Sequence, residues 1–384
     1  MMTSTDRILT THTGSLPRPH ELLAELLRRD RGEPVDADAL DARVREAVAD
    51  VVRRQADAGI AVVNDGEAGK IGYATYVTQR LEGFGGEADP PGPPPDMLEF
   101  PDYLERVSGE GGDGPAMPAC DGPVSYRDTD GVRADIANLR AALDGAGAED
   151  AFLSAASPGV IAFFLADRHY GSHEEYLFAI ADAMKAEYDE IHRAGLVLQL
   201  DCPDLAITRH RIGAESVEDF RRFVALHIEA IDHATRDIPP EALRMHVCWG
   251  NYEGPHHHDV PLGDIVDIVL GGRPSAISFE AANPRHAHEW RVFEDVKLPD
   301  GKVLVPGVID STTNYIEHPE LVAQRIVRYA ELVGRENVMA GTDCGFATFA
   351  AAIQVHPTIA WEKLRAMSEG ARIASQRLWS RAAV

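Results

Sequence analysis

Short apolar segments rich in β-branched residues alternate with longer amphipathic segments along most of the chain. The apolar segments are the predicted strands, at 8–13, 60–65, 152–156, 196–201, 243–248, 276–280, Val303–Ile309 and 337–341. Most of them precede a segment with helical periodicity, and strands that alternate with helices usually pair in parallel. Eight such units in 384 residues predict an α/β protein that folds as a single (β/α)8 TIM barrel over residues 1–384.

An open, doubly wound parallel sheet is the main alternative to the barrel. That fold usually carries a Gly-rich phosphate-binding turn, G-x-G-x-x-G, after its first strand. The first predicted strand is followed instead by T-G-S-L-P at 13–17, and Pro17 is incompatible with that motif. The barrel is therefore the favoured architecture.

Residues 70–150 interrupt the alternation, because they are too many for a simple connection between the second and third predicted strands. Nine of the 13 residues from 83 to 95 are Gly or Pro, and 108–115 is a second Gly-rich piece. Neither piece suits a regular helix or a central strand. We predict an insertion on the barrel rim, with a small hairpin near 123–127. A disordered surface loop, a lid and an oligomer contact all remain open for it.

The balance of charge restricts the partners of the chain. It has 62 acidic and 37 basic side chains, a formal net charge of −25. Such a chain has no basic field to bind nucleic acid or an anionic membrane surface. No apolar run has the length of a membrane helix, and the first residues lack a signal-peptide pattern. We expect a cytoplasmic protein that acts on small molecules, and a homo-oligomer remains open.

Several chemically active side chains stand at the ends of predicted strands, where barrel enzymes place their active sites. His246 and Cys248 are two residues apart, so they share one face of a strand. Glu280 and Cys344 end nearby strands. Two thiols, an imidazole and a carboxylate form a ligand set that favours zinc. The alternative interpretation is a pair of buried cysteines with a hydrogen-bonded core histidine.

These strand ends also carry a family resemblance. The chain resembles the catalytic barrel of cobalamin-independent methionine synthases and related shorter, single-barrel proteins, which include the epoxyalkane:coenzyme M transferases. The resemblance spans nearly the whole chain apart from 70–150. It depends on short motifs: T-G-S at 13–15, G-E at 66–67, L-D-x-P at 200–203, H-x-C at 246–248, F-E at 279–280 and D-C-G at 343–345.

The resemblance implies a role for each of the matching residues. It implies that Zn²⁺ is held by His246, Cys248, Glu280 and Cys344. It implies that the backbone of Gly14 and Ser15 holds the carboxylate of homocysteine. The ammonium group of homocysteine would lie between two carboxylates, those of Glu67 and Asp201.

The expected chemistry follows from the acidity of a thiol. A free thiol has a pKa of about 8.5 and is mostly protonated at neutral pH. Coordination to zinc removes the proton and leaves a nucleophile that attacks an electrophilic carbon of a small alkyl donor. One protein ligand has to yield to the incoming sulfur, and we expect Glu280 to do so, because a carboxylate is the least soft of the four. Glu280 is therefore a predicted catalytic residue, and Asp201 and Glu67, whose role the resemblance implies, are predicted as catalytic with it.

The alkyl donor stays open, because two family features have no match. The pterin-stacking Trp after the third strand is missing, and so is the proton-transferring His after the seventh, near which only His318 stands. Methyl transfer to homocysteine or a similar amino thiol, as in methionine biosynthesis, is the favoured function. Epoxide opening by a sulfonate thiol is the alternative, with Arg18, Lys70 and Arg209 as candidate anion-binding residues. A metal-free relative like uroporphyrinogen decarboxylase and a non-catalytic zinc- or thiol-binding protein also remain.

Other conspicuous residues allow two interpretations each. The three histidines at 256–258 form either a surface run or part of the substrate-site rim. Trp249 and Tyr252 either line a small pocket or pack in the core. Cys202 is expected on the helix-facing side of its strand, and His12 fits a structural role as well as a functional one.

Overall fold

A curled sheet of parallel strands forms the centre of the structure, a computed structural model that describes residues 1–89, 91–108, 117–207, 209, 216–349 and 354–380. Its strands are β1 Val62–Val63, β2 Leu81–Glu82, β3 Gly86–Ala88, β4 Met117–Ala119, β5 Ser125–Tyr126, β6 Asp150–Ala156, β7 Val197–Asp201, β8 Leu243–Val247, β9 Ala276–Phe279, β10 Val303–Ile309 and β11 Gly341–Thr342. Seven of them, β1 and β6 to β11, form the central sheet, and every neighbouring pair is parallel.

Helices lie between consecutive strands of the central sheet, and others precede β1 or belong to the stretch 70–150. They are α1 His20–Asp30, α2 Ala37–Asp57, α3 Pro95–Leu98, α4 Pro101–Ser108, α5 Asp130–Leu143, α6 Pro158–Phe164, α7 His173–Arg193, α8 Val217–Ala234, α9 Val266–Gly271, α10 Val292–Asp295, α11 Pro319–Val333 and α12 Pro357–Ser380. The longer ones begin at polar side chains that accept a backbone N–H of the first turn, such as Asp36, Ser172 and Ser216. No helix in the described ranges is long and apolar enough to cross a membrane.

The first predicted strand, 8–13, connects the two edges of the sheet through a few hydrogen bonds. Val62 N, in β1, donates to Thr10 O at 3.0 Å, and Thr11 N donates to Ala340 O, just before β11, at 2.9 Å. Thr10 and Ala340 also form a single parallel bridge. The sheet is therefore curled in the manner of a TIM barrel, although 8–13 itself is not a regular strand.

The last predicted strand, 337–341, is displaced from the observed one. The regular strand β11 begins at Gly341, where the prediction ends. Val338 and Ala340 make only isolated bridges, and the register between β10 and β11 shifts between Gly307 and Ile309. This irregularity limits the regular pairing, so the apolar pattern located the strand but not its bounds. The other six predicted strands overlap β1 and β6 to β10.

Side chains along the strands alternate between the concave face of the sheet and the helices. In β7, Leu198 and Leu200 pack in the large core against the helices, whereas Val197 belongs to a small inner cluster. That cluster consists of Leu9, Val62, Phe152, Val197, Ala276, Val303, Val305 and Met339. It fills the amino-terminal end of the concave face, so the inward-facing polar residues lie further along, towards the carboxyl ends of the strands.

One of these inward-facing residues, Arg244 of β8, connects the segment 8–13 to the sheet. The Arg244 guanidinium is fully buried and donates to Thr11 Oγ1 at 2.9 Å and to His12 O at 2.8 Å. It lies over the Phe152 ring, 4.0 Å from the ring centroid. Burial lowers the pKa of Arg244 to about 9, so the side chain stays a cation at neutral pH.

The interrupting stretch, 70–150, contains short elements followed by a regular helix. β2 pairs with β5 and β3 pairs with β4, both antiparallel. The hairpin expected near 123–127 is wrong, because β5 pairs with the distant β2 instead of folding back on a neighbouring segment. Most of the second Gly-rich piece, 109–115, lies outside the described residues. Helix α5 packs on α2 and α7, so the irregular part of the stretch ends before Asp130.

We expect Arg244→Ala to lower the free energy of unfolding by about 3 kcal/mol, because it removes two charge-assisted hydrogen bonds and leaves a cavity. Arg53→Ala is the control, since Arg53 is exposed on α2 and should matter by less than about 0.5 kcal/mol. Urea unfolding followed by circular dichroism measures both. Equal unfolding midpoints for the two variants would contradict the role given to Arg244.

Candidate metal centre

Three of the predicted metal ligands come together at the carboxyl end of the sheet. His246 is the penultimate residue of β8, Cys248 follows the end of that strand, and Cys344 follows β11. The two Sγ atoms are 3.6 Å apart, and one ligand atom from each residue lies within 4.8 Å of the others. All three side chains are buried. The alternation along β8 therefore directs His246 and Cys248 to the same place, as the sequence predicted.

The geometry of this His–Cys–Cys cluster fits a small tetrahedral cation. Two sulfur ligands at about 2.3 Å from zinc lie about 3.8 Å apart at the tetrahedral angle, close to the observed separation. The His246 ring is oriented by Nδ1, which is 3.2 Å from Ser278 Oγ. Its Nε2 atom is buried and has no hydrogen-bond partner. Buried nitrogens are rarely left unpaired, so His246 Nε2 points to a ligand position.

Electrostatics keep the three donors neutral as long as no cation is bound. The hydrogen bond with Cys344 and burial raise the pKa of Cys248 well above its usual value. The hydrogen bond with Cys248 lowers the pKa of Cys344, but burial outweighs it and the net shift is upward. Burial and the nearby Arg244 cation lower the pKa of His246 to about 3. A bound cation would therefore displace thiol protons and meet a neutral imidazole.

Glu280, the fourth predicted ligand, is held beside the cluster and is not one of its three members. Its Oε1 accepts Trp249 N at 2.7 Å, and its Oε2 accepts Asn283 Nδ2 at 2.8 Å. Burial, followed by the charge of Cys248, raises the pKa of Glu280 well above its usual value. The Glu280 carboxylate thus lies next to the Cys248 thiol, with each of its two oxygens hydrogen-bonded to a protein N–H.

Asp343 links the two loops that carry Glu280 and Cys344. Asp343 Oδ1 accepts the backbone N–H groups of Ala281 and Ala282 at 2.8 and 2.7 Å, and Oδ2 accepts that of Asn283 at 2.7 Å. Asp343 belongs to the D-C-G motif at 343–345, but sequence reasoning gave a role to neither Asp343 nor Asn283. The pairing of Asp343 with 281–283 has no local signal, because about sixty residues separate the partners along the chain, whereas Asn283 lies three residues from Glu280.

The cluster opens on a cavity of about 1020 Å³ that also contains predicted acceptor-binding residues. Ser15, Glu67 and Asp201 line this cavity together with the three metal-ligand candidates. Asp201 is the register partner of His246 across β7 and β8, so the strand pairing itself places them side by side. Gly14 lies directly behind Glu67, where any Cβ would clash with Glu67 Oε1.

The two carboxylates on the cavity wall are incompletely neutralised. Glu67 Oε1 accepts Ser154 Oγ at 2.7 Å, whereas Glu67 Oε2 is buried without a partner. Asp201 Oδ1 accepts Gln199 Nε2 at 2.7 Å. Burial and the charge of Glu67 raise the pKa of Asp201 well above its usual value. A cation placed between them would stabilise the charged form of both carboxylates and offset their mutual repulsion.

Arg18 and Lys70, two of the candidate anion-binding residues, are occupied inside the protein. The Arg18 guanidinium donates to the backbone oxygens of Ala347, Glu67 and Lys70 at 2.8 to 3.0 Å. Lys70 Nζ donates to Ser154 O at 2.5 Å. Among the described lysines and arginines, only Arg31 lines the cavity, and it is paired with Glu33.

Much of the remaining cavity wall is apolar, and part of it is aromatic. Tyr73, Phe164 and Phe349 meet edge to face, with ring centroids 5.5 to 6.1 Å apart. Met97 and Met117, from the interrupting stretch, line the same cavity. The stretch that breaks the βα alternation therefore forms part of the cavity wall.

Two aromatic residues singled out from the sequence take different places. Trp249 is fully buried, and its indole N–H donates to Val260 O at 2.6 Å, so it packs in the core. Tyr252 lines the cavity. His12 is buried and its Nε2 lies 2.7 Å from Gln55 Oε1, which is a structural placement.

His318 and Cys202 lie in structural positions as well. His318 precedes α11, and its Nδ1 accepts the backbone N–H of Glu320 at 3.1 Å, so it caps that helix. Cys202 is fully buried in the core against the helices, with Sγ 3.4 Å from Leu200 O. Neither residue belongs to the lining of the cavity.

Comparisons with known proteins give the chain a place among enzymes. The family model described as "Cobalamin-independent synthase, Catalytic domain" matches residues 166–372. A methionine synthase of Thermococcus kodakarensis is 26% identical over 96% of this chain and 94% of its own. A 2-hydroxypropyl-CoM lyase of Xanthobacter autotrophicus is 25% identical over 97% and 96%. The solved structure of a B12-independent methionine synthase from Shewanella sp. W3-18-1, in complex with selenomethionine, has a TM-score of 0.75 at 21% identity, over 97% and 99% of the two chains.

We expect Cys248→Ser and Cys344→Ser to lose most of the zinc that survives dialysis, because each removes one of two sulfur donors. Cys202→Ser is the matched control, a buried cysteine outside the cluster, and should keep its zinc. Mass-spectrometric metal analysis of the purified proteins gives the stoichiometry. Equal zinc content in wild type and Cys344→Ser would refute the assignment.

Proposed function

Because the chain belongs to the family of cobalamin-independent synthase catalytic domains, we propose that it is a zinc-dependent alkyltransferase acting on a thiol. The favoured reaction is methyl transfer to homocysteine or a similar amino thiol. One observation carries this choice: two buried carboxylates, Glu67 and Asp201, share a cavity with the His–Cys–Cys cluster. The protein would work in the cytoplasm on small molecules.

Zinc is the metal that best suits the donors, which are two thiols, an imidazole and a neighbouring carboxylate. When bound, it supplies a Lewis acid that lowers the pKa of a substrate thiol. His246, Cys248 and Cys344 would hold it. Glu280 would be the ligand that the substrate displaces. Its carboxylate is hydrogen-bonded to Trp249 N and Asn283 Nδ2, and these bonds would stabilise it away from the metal.

The acceptor thiol would be oriented by its amino-acid end. Its ammonium group would bind between Glu67 Oε2, which has no partner of its own, and Asp201. Because the protein only partly compensates the charge of these two carboxylates, a cation is favoured there over a neutral group. Its carboxylate would lie at the backbone of Gly14 and Ser15. These contacts hold the thiol at a fixed distance from the cluster, which converts binding energy into orientation.

The alkyl donor would occupy the apolar part of the cavity. The cavity, at about 1020 Å³, exceeds what a small amino thiol fills, and Tyr73, Phe164 and Phe349 wall the remainder. The net charge of −25 disfavours a polyanionic donor. We further propose that 8–13 completes an eight-stranded barrel and that 70–150 is a rim insertion covering the donor.

Binding of the acceptor separates this function from epoxide opening by a sulfonate thiol. We expect zinc-loaded protein to release heat on titration with homocysteine and little with 2-mercaptoethanesulfonate, because Arg18 and Lys70 are occupied. Isothermal titration calorimetry makes the comparison. Heat with the sulfonate thiol and none with homocysteine would overturn the proposal in favour of the epoxide reaction.

The carboxylate pair can be tested with an acceptor that lacks the ammonium group. Wild-type protein should bind homocysteine at least about tenfold more tightly than 4-mercaptobutanoate, since a charge-assisted hydrogen bond contributes about 1.5 kcal/mol or more. Glu67→Gln and Asp201→Asn should lose that preference and keep their zinc. Calorimetry with both thiols measures the ratio. Variants that retain the full preference would show that the ammonium binds elsewhere.

A further inference from the structure

A second group of metal-binding side chains lies outside the cavity, where the interrupting stretch meets the loop after β8. Glu99 follows α3, and its Oε2 is 3.1 Å from His257 Nε2. Glu99 Oε1 also hydrogen-bonds to His258 Nε2. One ligand atom from each residue lies within 4.8 Å of the other two. The group thus brings Glu99 together with His257 and His258, which are separated from it by 158 and 159 positions in the sequence.

We propose that Glu99, His257 and His258 form a second metal site, which binds a divalent cation such as Cu²⁺, Ni²⁺ or Zn²⁺. Two imidazoles and a carboxylate are the donors these borderline cations prefer. The three side chains are 38 to 52% exposed, so water would complete the coordination and the ion would exchange readily. The site has no sulfur, which makes it chemically distinct from the His–Cys–Cys cluster.

The protons can be accounted for without further groups. In the present arrangement each Nε2 lies against a Glu99 oxygen, so it carries a hydrogen shared with the carboxylate. A metal requires the lone pair of each Nε2 instead. A neutral ring moves its hydrogen to Nδ1, and an imidazolium releases one proton to solvent. The carboxylate exchanges two hydrogen bonds for one metal bond and remains an anion.

Neighbouring contacts hold together the two backbone segments that carry the donors before any metal binds. Asp96, on α3, is a buried carboxylate that accepts Tyr252 Oη at 3.0 Å and His256 N at 2.6 Å. The Phe100 ring lies edge-on to the His257 ring, with centroids 5.9 Å apart. Binding therefore requires little ordering of the chain, which favours affinity.

Occupation of the site would strengthen the contact between α3–α4 and the loop 252–258. Met97 and Tyr252, one from each side of this contact, both line the cavity. A ligand that binds only the docked arrangement stabilises it by mass action. The second site is thus expected to brace one wall of the cavity, and this expectation does not depend on which reaction occurs inside.

Cobalt binding distinguishes the two sites. We expect wild-type protein to bind two equivalents of Co²⁺ and the double variant His257→Asn, His258→Asn to bind one, with the near-ultraviolet sulfur-to-cobalt band intact. Glu99→Gln should weaken the second equivalent at least tenfold. His233→Asn is the matched control, because His233 is an exposed histidine paired with a single carboxylate, Asp182, and it should still bind two.

Amide hydrogen exchange tests whether metal binding stabilises α3–α4. In wild-type protein a divalent cation should slow amide hydrogen exchange of 95–108, whereas in the double histidine variant it should not. Circular dichroism and an unchanged unfolding temperature check that the variants fold. If the double variant binds two equivalents with wild-type affinity, or if His233→Asn loses the second equivalent equally, the site does not exist.

Discussion

The burial of ionisable side chains on the concave face of the sheet is the constraint on which the site depends. Strand alternation places Gln199 and Asp201 of β7, and Arg244 and His246 of β8, inside the curled sheet. Groups that are buried away from water need partners, and most of these have one. Arg244 bonds to the segment 8–13, and Gln199 bonds to Asp201. The same polar layer thus connects the first segment to the sheet and positions the side chains above it.

Several buried polar atoms of the described residues have no partner, and some of them belong to residues that line the cavity, where a ligand could reach them. His246 Nε2 and Glu67 Oε2 are buried and unpaired, and both residues line the cavity. The imidazole nitrogen can donate its lone pair to a metal cation, and the carboxylate oxygen can accept a hydrogen bond from an ammonium group. A metal beside the first and an ammonium group beside the second would satisfy both at once. An amino thiol whose sulfur is bound to such a metal would carry its ammonium group on the same small molecule, so one substrate could reach both places.

Sequence reasoning reached the residues whose positions follow from strand periodicity. His246 and Cys248 are two apart on a strand, and Asp201 ends the neighbouring one, so their convergence follows from alternation and parallel pairing. It did not reach the contacts that long-range loop packing determines. Asp343 anchors the Glu280 loop through backbone groups about sixty residues away in the chain, a pairing that no local pattern predicts. The same limit explains the wrong hairpin, since β5 pairs with the distant β2.

Residues 95–108 of the interrupting stretch contact the loop that follows Cys248. The segment from Cys248 to His258 begins at a candidate zinc ligand, passes Tyr252 on the cavity wall, and ends at the exposed pair that contacts Glu99. Asp96 fixes the middle of this segment to α3. A displacement of α3–α4 would therefore move Met97, which lines the cavity, and break the hydrogen bond between Asp96 and Tyr252. Because residues 248–258 contribute at once to the metal-ligand cluster, to the cavity wall and to the contact with α3, a change at this contact reaches all three.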